Sequence, residues 1–176
     1  MSVLVAAVSV LLIGVAPAPA RFIEDWPYDK LFKNADVVVF AEATKTEPVA
    51  DEPLRGHPWP CELVGQNTTF KVKHALKGKV AGDSIKVLHF KLGPPKKGQV
   101  AVIIENGPLL VAFRTAGVIV KAKGDEENTI LPQPEYLLFL KKMKDGRYEP
   151  VSGRIDPALS VKEVSAPLEK VLGGGK

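Results

Sequence analysis

Apolar and polar side chains alternate with the two-residue period of a β-strand over much of this chain. The run ADVVVFAEATKTE is rich in β-branched residues and places apolar positions on both faces, which predicts a strand that is central at its start. The same period returns in NTTFKVKHALKG, with Phe70 directed to the core, and in GDSIKVLHFKL, with His89 on the face of Val87. We predict that these two runs form a hairpin with a longer turn.

A helix and several breaks complete the pattern. Residues 25–35 have apolar positions at helical spacing, with Asp25 as a candidate N-cap and Pro27 in the first turn, which predicts one short helix. Residues 48–66 contain four prolines and predict a long irregular loop, and GPPKKGQ predicts a turn. Three further elements are predicted: a hairpin turned at Asp145-Gly146, a short strand within residues 117–123, and one helical turn in DPALSVKEV.

Six or seven short strands and one helix follow from these patterns. Strands at short spacing with turn residues between them are typical of a small barrel or sandwich. The sequence has neither a repeat of fixed period nor an alternation of strands with helices, which disfavours a doubly wound parallel sheet. We therefore predict a mainly β fold.

The first twenty residues predict export. They contain no charged side chain, and their apolar run is roughly 13 residues long, whereas a membrane-spanning helix needs about 20. The segment ends in APA, which fits a signal-peptidase site, so we expect residues 1–20 to be a signal peptide and the mature chain to begin at Arg21. A retained membrane anchor and a buried core segment are the alternatives. We expect a periplasmic or extracellular protein.

Length and composition narrow the remaining choices. Residues 21–172 fit one domain, and the tail, residues 173–176, is predicted to be disordered. The formal net charge of +4 is mild and does not by itself indicate nucleic acid, and the single cysteine excludes a disulfide within the chain. We expect neither a nucleic-acid partner, nor a cofactor, nor a membrane span after signal cleavage. Asn67 begins a glycosylation sequon, which matters only in a eukaryotic cell.

The segment HPWPC is the candidate interaction loop, with His57, Trp59 and Cys61. A zinc site needs three or four ligands, and a Cys-His nucleophile needs a third group to orient the base. His74 and His89 lie on predicted strands, where they fit surface or half-buried positions. We therefore favour a rigid loop with Trp59 over one end of the barrel and Cys61 buried, without catalytic residues or metal ligands. A disulfide-linked dimer through Cys61 is the main alternative for the thiol.

Short motifs at the ends of the predicted strands resemble a known family. They are Ala35 to Val38, Lys77-Gly78, Tyr136-Leu137 and Asp145-Gly146. In these places the chain is similar to netrin-type modules and to the N-terminal domains of tissue inhibitors of metalloproteinases, over roughly residues 34–153. The final stretch also resembles exported proteins of environmental bacteria. The resemblance implies an OB-type barrel, here of five to seven strands with one short N-terminal helix.

The chain departs from that family where the inhibitors act. Their mature N-terminal cysteine chelates the protease zinc and is pinned by disulfides, whereas this chain is expected to begin at Arg21 and has none of those cysteines. Inhibition would have to use another edge or loop. We thus expect an exported, non-enzymatic binding module for another protein, with inhibition as one form of such binding. The alternative is a metal- or thiol-dependent protein that uses the His57 and Cys61 loop.

Overall fold

Five strands close into a β-barrel in a computed structural model of the protein, which describes residues 26–50, 61–95, 108–120 and 129–164. The elements in chain order are α1 Tyr28–Asn34, β1 Val37–Pro48, β2 Cys61–Lys77, β3 Ser84–Pro95, β4 Val118–Val120, β5 Thr129–Leu131, β6 Glu135–Lys142, β7 Tyr148–Pro150, a 3-10 helix at Pro157–Leu159, and β8 Val161–Val164.

The barrel strands follow the order β1-β2-β3-β7-β6, and β6 pairs back onto β1 to close it. Val87 on β3 and Tyr148 on β7 form a parallel contact, while the other barrel ladders are antiparallel. A closed five-stranded barrel with one short helix confirms the predicted OB-like, mainly β fold class. Outside the barrel, β8 pairs with β6 beside β7, and β4 pairs with β5 in a separate ladder.

The first half of β1 lies between two neighbours, as its sequence predicts. Residues 37–42 pair with β6 on one edge, and residues 38–48 pair with β2 on the other. The inward positions Val39, Ala41 and Ala43 are buried in the barrel core, where they meet Phe70 of β2. Val38 is also fully buried, because α1 covers the outer face of β1. Burial on both faces explains the unbroken apolar start of the strand.

The helix α1 lies within the segment 25–35 predicted for it, although its start differs. It begins at Tyr28 with Pro27 as the N-cap residue, so the predicted N-cap Asp25 is wrong. Leu31 and Ala35 are buried against Val38 and Phe139 on the outer face of the barrel. The buried face of this seven-residue helix therefore fixes how α1 lies across β1 and β6.

Two segments that the sequence assigns to loops belong to strands. β1 continues to Pro48, which pairs with Gln66, and β2 begins at Cys61, which pairs with Pro95. The predicted irregular loop over residues 48–66 and the predicted turn in GPPKKGQ are therefore wrong in these parts; residues 51–60 and 96–100 lie outside the described residues. Pro48 is tolerated because β1 beyond residue 42 has a ladder on one edge only, so its missing N–H costs no hydrogen bond on the other edge.

The predicted hairpins are confirmed. β2 and β3 pair across the turn 78–83, and β6 and β7 pair across Asp145-Gly146, where Gly146 has φ of +87°. The helical turn in DPALSVKEV is the 3-10 helix, but the same segment also holds β8, which the sequence did not predict. Within the described ranges, none of the helices has the length and apolar character to span a membrane.

Candidate functional site

A groove of about 520 Å³ runs along one side of α1 on the outside of the barrel. Its floor is the half-buried Leu137 of β6, next to Val38 of β1 and Phe139 of β6, which are buried beneath α1. Val38 and Phe139 are register partners across the β1–β6 ladder, so their side chains lie next to each other on the outer face. We call this feature the α1 groove.

Three exposed apolar side chains form the walls of the α1 groove. Tyr28 is 59% exposed, Phe32 is 44% exposed and Leu76 is 52% exposed. These are three of the five large apolar side chains that are exposed among the described residues, the others being Leu92 and Leu131. Their convergence on one concave surface is informative, because single exposed apolar residues are common whereas clusters indicate binding surfaces.

The helix wall follows from helical geometry. Tyr28 and Phe32 are four residues apart and therefore lie one above the other on one flank of α1, while Leu31 lies on the face that packs on the barrel. The ring of Tyr28 contacts the ring of Phe139, with centroids 5.9 Å apart. This contact holds the first turn of the helix against the floor and leaves the outer side of Tyr28 open.

The strand wall follows from a β-bulge. Val38 pairs with Lys77 and the next residue, Val39, pairs with Ala75, so Leu76 is an extra residue on β2. A bulge of this kind changes the direction of the extra side chain relative to the normal alternation. Lys73 is a second extra residue, between Phe70 and Leu76, so Leu76 is exposed beside α1 although it has the same parity as the buried Phe70. The register shift therefore brings an apolar side chain to the groove.

Lysines flank the apolar walls. The Lys77 ammonium group donates to the carbonyl oxygens of Phe32 and Lys33, at 2.6 and 3.2 Å, and lies 5.2 Å from the ring centroid of Phe32. This interaction caps the C-terminal end of α1, where cations are favoured by the helix dipole. Lys33 lines the groove, and Asp29 is the single acid among its described lining residues.

Cys61 is the one residue of the predicted interaction loop that the structure describes, and it does not line the α1 groove. Cys61 is the first residue of β2 and Leu76 is near the last, so the two lie at opposite ends of a 17-residue strand. His57 and Trp59 lie outside the described residues. Of the described residues, no group of three or more His, Cys, Asp and Glu is arranged to hold a metal ion. The role of the HPWPC segment therefore stays a prediction.

The two histidines on strands have opposite environments. His74 is exposed on β2, as a surface position predicts, whereas His89 is fully buried, so its predicted half-buried state is wrong. The ring of Phe113 packs edge-on against His89, with centroids 4.9 Å apart, and covers it from a segment without regular secondary structure. Burial lowers the pKa of His89 to about 4, and its contact with the backbone of Phe90 acts in the opposite direction.

A second, more polar cleft of about 700 Å³ lies between the β2–β3 hairpin and the β6–β7 turn. Asn67, the predicted sequon residue, lines it, and its Oδ1 accepts a hydrogen bond of 3.2 Å from Arg147. Arg147 also pairs with Asp145 at 2.7 Å and lowers the pKa of that carboxyl group. Arg147 is therefore already paired within the chain, and the more apolar α1 groove is the better candidate for a binding surface.

Sequence reasoning placed Tyr28 and Phe32 on the helix but did not separate them from the buried positions. The sequence did contain one indication, which is the width of the apolar stripe on the helix. Its members, Tyr28, Leu31, Phe32 and Ala35, occupy more of the surface of a two-turn helix than packing on the barrel can bury. For Leu76 the pairing register, which the sequence does not show, decided the exposure.

Comparison of the chain with protein-family models, with curated proteins and with solved structures finds no match. The likeness to netrin-type modules and tissue inhibitors of metalloproteinases thus stays a prediction, while the strand order is observed directly in the structure.

Proposed function

We propose that this chain is a non-catalytic binding module that recognises another protein through the α1 groove. The observation that carries the proposal is the convergence of Tyr28, Phe32 and Leu76 around a concave apolar floor. Protein interfaces are built around such anchoring pockets, with aromatic residues enriched and a polar or charged rim. Burying these side chains in a complex would remove the unfavourable hydration of all three at once.

The apolar, uncharged first twenty residues support the further proposal that the chain acts outside the cytoplasm. Its partner would then be another exported or surface protein. Inhibition of such a partner would follow if the groove covered its active surface, and no residue of the chain would need to take part in chemistry.

The test compares two lysine substitutions in the full chain expressed in an exporting host. Leu76→Lys places a charge in the groove, while Leu92→Lys makes the same change at a β3 position that does not line it. The two leucines have nearly equal exposure, 52% and 48%. After cross-linking of intact cells, we expect wild type and Leu92→Lys to recover the same partner and Leu76→Lys to lose it. Equal recovery by all three proteins would contradict the proposal.

The competing thiol or metal hypothesis needs its own measurement. We expect the intact mass of the purified chain under non-reducing conditions to show an unmodified Cys61, and metal analysis of the same sample to show less than one equivalent of zinc or copper. Stoichiometric metal that is lost on His57→Ala or Cys61→Ser would instead favour the HPWPC segment as the site.

A further inference from the structure

We infer that the partner segment of the α1 groove is apolar and flanked by acidic residues; this deepens the proposed function and rests on it. The walls and floor favour apolar side chains of the partner, and the charges at the rim determine which residues are favoured beside those side chains.

The rim has a positive balance. Lys33 lines the groove, and Lys77 lies at its edge with its ammonium group against the carbonyl oxygens of Phe32 and Lys33. Carbonyl oxygens are neutral dipoles, so this capping interaction uses hydrogen-bond donors of Lys77 but does not cancel its charge. Asp29 is the single acid among the described residues that line the groove, so Lys33 and, at the edge, Lys77 outnumber it.

The size of the groove limits how much of the partner it can hold. α1 has seven residues and is therefore about 10 Å long, which corresponds to about two turns of a bound helix or three residues of a bound strand. One or two large apolar side chains can enter over that length. Carboxylates on the residues next to them would then lie within reach of Lys33 and Lys77.

The concave shape favours a peptide segment over a lipid bilayer. Interfacial membrane binding uses apolar side chains that project outward on a convex face. Here the accessible part of the floor, Leu137, lies between the walls formed by α1 and β2, so a side chain inserted between them reaches it. A lysine-flanked apolar surface also attracts anionic lipid, which makes vesicles a necessary arm of the test.

The experiment uses the full chain and two synthetic amphipathic peptides of about 14 residues with the same leucine face. One peptide carries Glu on its polar face, and the other carries Gln. We expect the Glu peptide to bind about fivefold more tightly at low salt, and the difference to shrink as salt is raised. Isothermal titration with both peptides measures this preference directly.

Two pairs of variants locate the binding. Lys33→Glu should weaken binding of the Glu peptide about fivefold and leave binding of the Gln peptide nearly unchanged. Lys91→Glu is the control, because it makes the same charge change at an exposed position on β3 outside the groove. Leu76→Ala should weaken both peptides about tenfold, and Leu92→Ala should weaken neither.

Different binding results distinguish the acidic preference from the groove itself. Equal binding of both peptides that depends on Leu76 would refute the acidic preference and leave the binding groove in place. If neither peptide binds, or if Leu76→Ala does not affect their binding, the α1 groove is not a binding site. Leu76-dependent sedimentation with phosphatidylserine vesicles, without peptide binding, would assign the surface to a membrane. Dimerisation that Leu76→Ala abolishes would assign it to a second copy of the chain.

Discussion

The hydroxyl group of Thr68 lies 2.8 Å from Nε2 of His89 in the interior of the barrel. Thr68 Oγ1 is also 2.8 Å from Thr46 Oγ1, so a chain of hydrogen bonds crosses β1, β2 and β3. Thr68 and His89 are fully buried, and among the described residues no hydrogen-bond partner reaches Nδ1 of His89. A neutral imidazole is therefore the form that this core accommodates.

Acid should destabilise the fold through His89. The unfolded chain binds this proton with a pKa near 6.5, whereas in the folded chain burial lowers the pKa of His89 to about 4. The unfolded state thus holds more protons between these values, so the contribution of His89 is complete above about pH 6.5 and is lost as the pH falls towards about 4. The total loss is about 3 kcal/mol.

Urea unfolding from about pH 7.5 to 4.5 measures this slope. His89→Gln keeps a hydrogen-bonding side chain beside Thr68 and does not titrate, so we expect its profile to be flatter than that of wild type over this range. An unchanged slope in the variant would assign the acid sensitivity to another group.

Thr68→Val should destabilise the barrel by about 1 to 3 kcal/mol, because it removes the hydroxyl group that joins Thr46 to His89 and leaves a buried ring nitrogen without its partner. Thr69→Val changes the neighbouring, less buried residue in the same way and should change the free energy of unfolding by less than about 0.5 kcal/mol. Equal effects in chemical denaturation would mean that the buried hydrogen bonds contribute little.

Gly78→Ala should cost more than Gly82→Ala, although both glycines have positive φ, +77° and +83°. A Cβ on Gly78 would collide with the backbone oxygen of Asp36, whereas a Cβ on Gly82 would meet no atom within 4 Å. Gly82→Ala is the control and should lower the free energy of unfolding by about 1 to 2 kcal/mol from backbone strain alone. Gly78→Ala should lower it distinctly more. Denaturant midpoints of the two variants measure the difference, and a smaller loss at Gly78 contradicts the expectation.

Tyr136→Phe should loosen the segment that covers one side of the core. The Tyr136 hydroxyl accepts a hydrogen bond of 2.9 Å from the backbone N–H of Arg114, and its ring packs against Phe113. We expect the stability to fall by about 1 kcal/mol and hydrogen exchange at the Arg114 amide to accelerate. Tyr28→Phe, an exposed tyrosine on α1, is the control and should leave this amide unchanged.

The sequence by itself determined the features that depend on neighbouring residues. The two-residue period of β1, β2 and β3 and the turn at Asp145-Gly146 follow from the direction of successive side chains and from the backbone freedom of glycine. These signals were sufficient for a mainly β barrel with one helix.

Only the tertiary structure decided which apolar and polar side chains remain accessible. Leu76 is exposed because β2 carries an extra residue against β1, and His89 is buried because Phe113 packs over it from a distant segment. Tyr28 and Phe32 form a groove because a two-turn helix covers only part of the β1–β6 surface. Each outcome depends on which strands become neighbours and in what register, and such long-range pairing leaves no local pattern in the sequence.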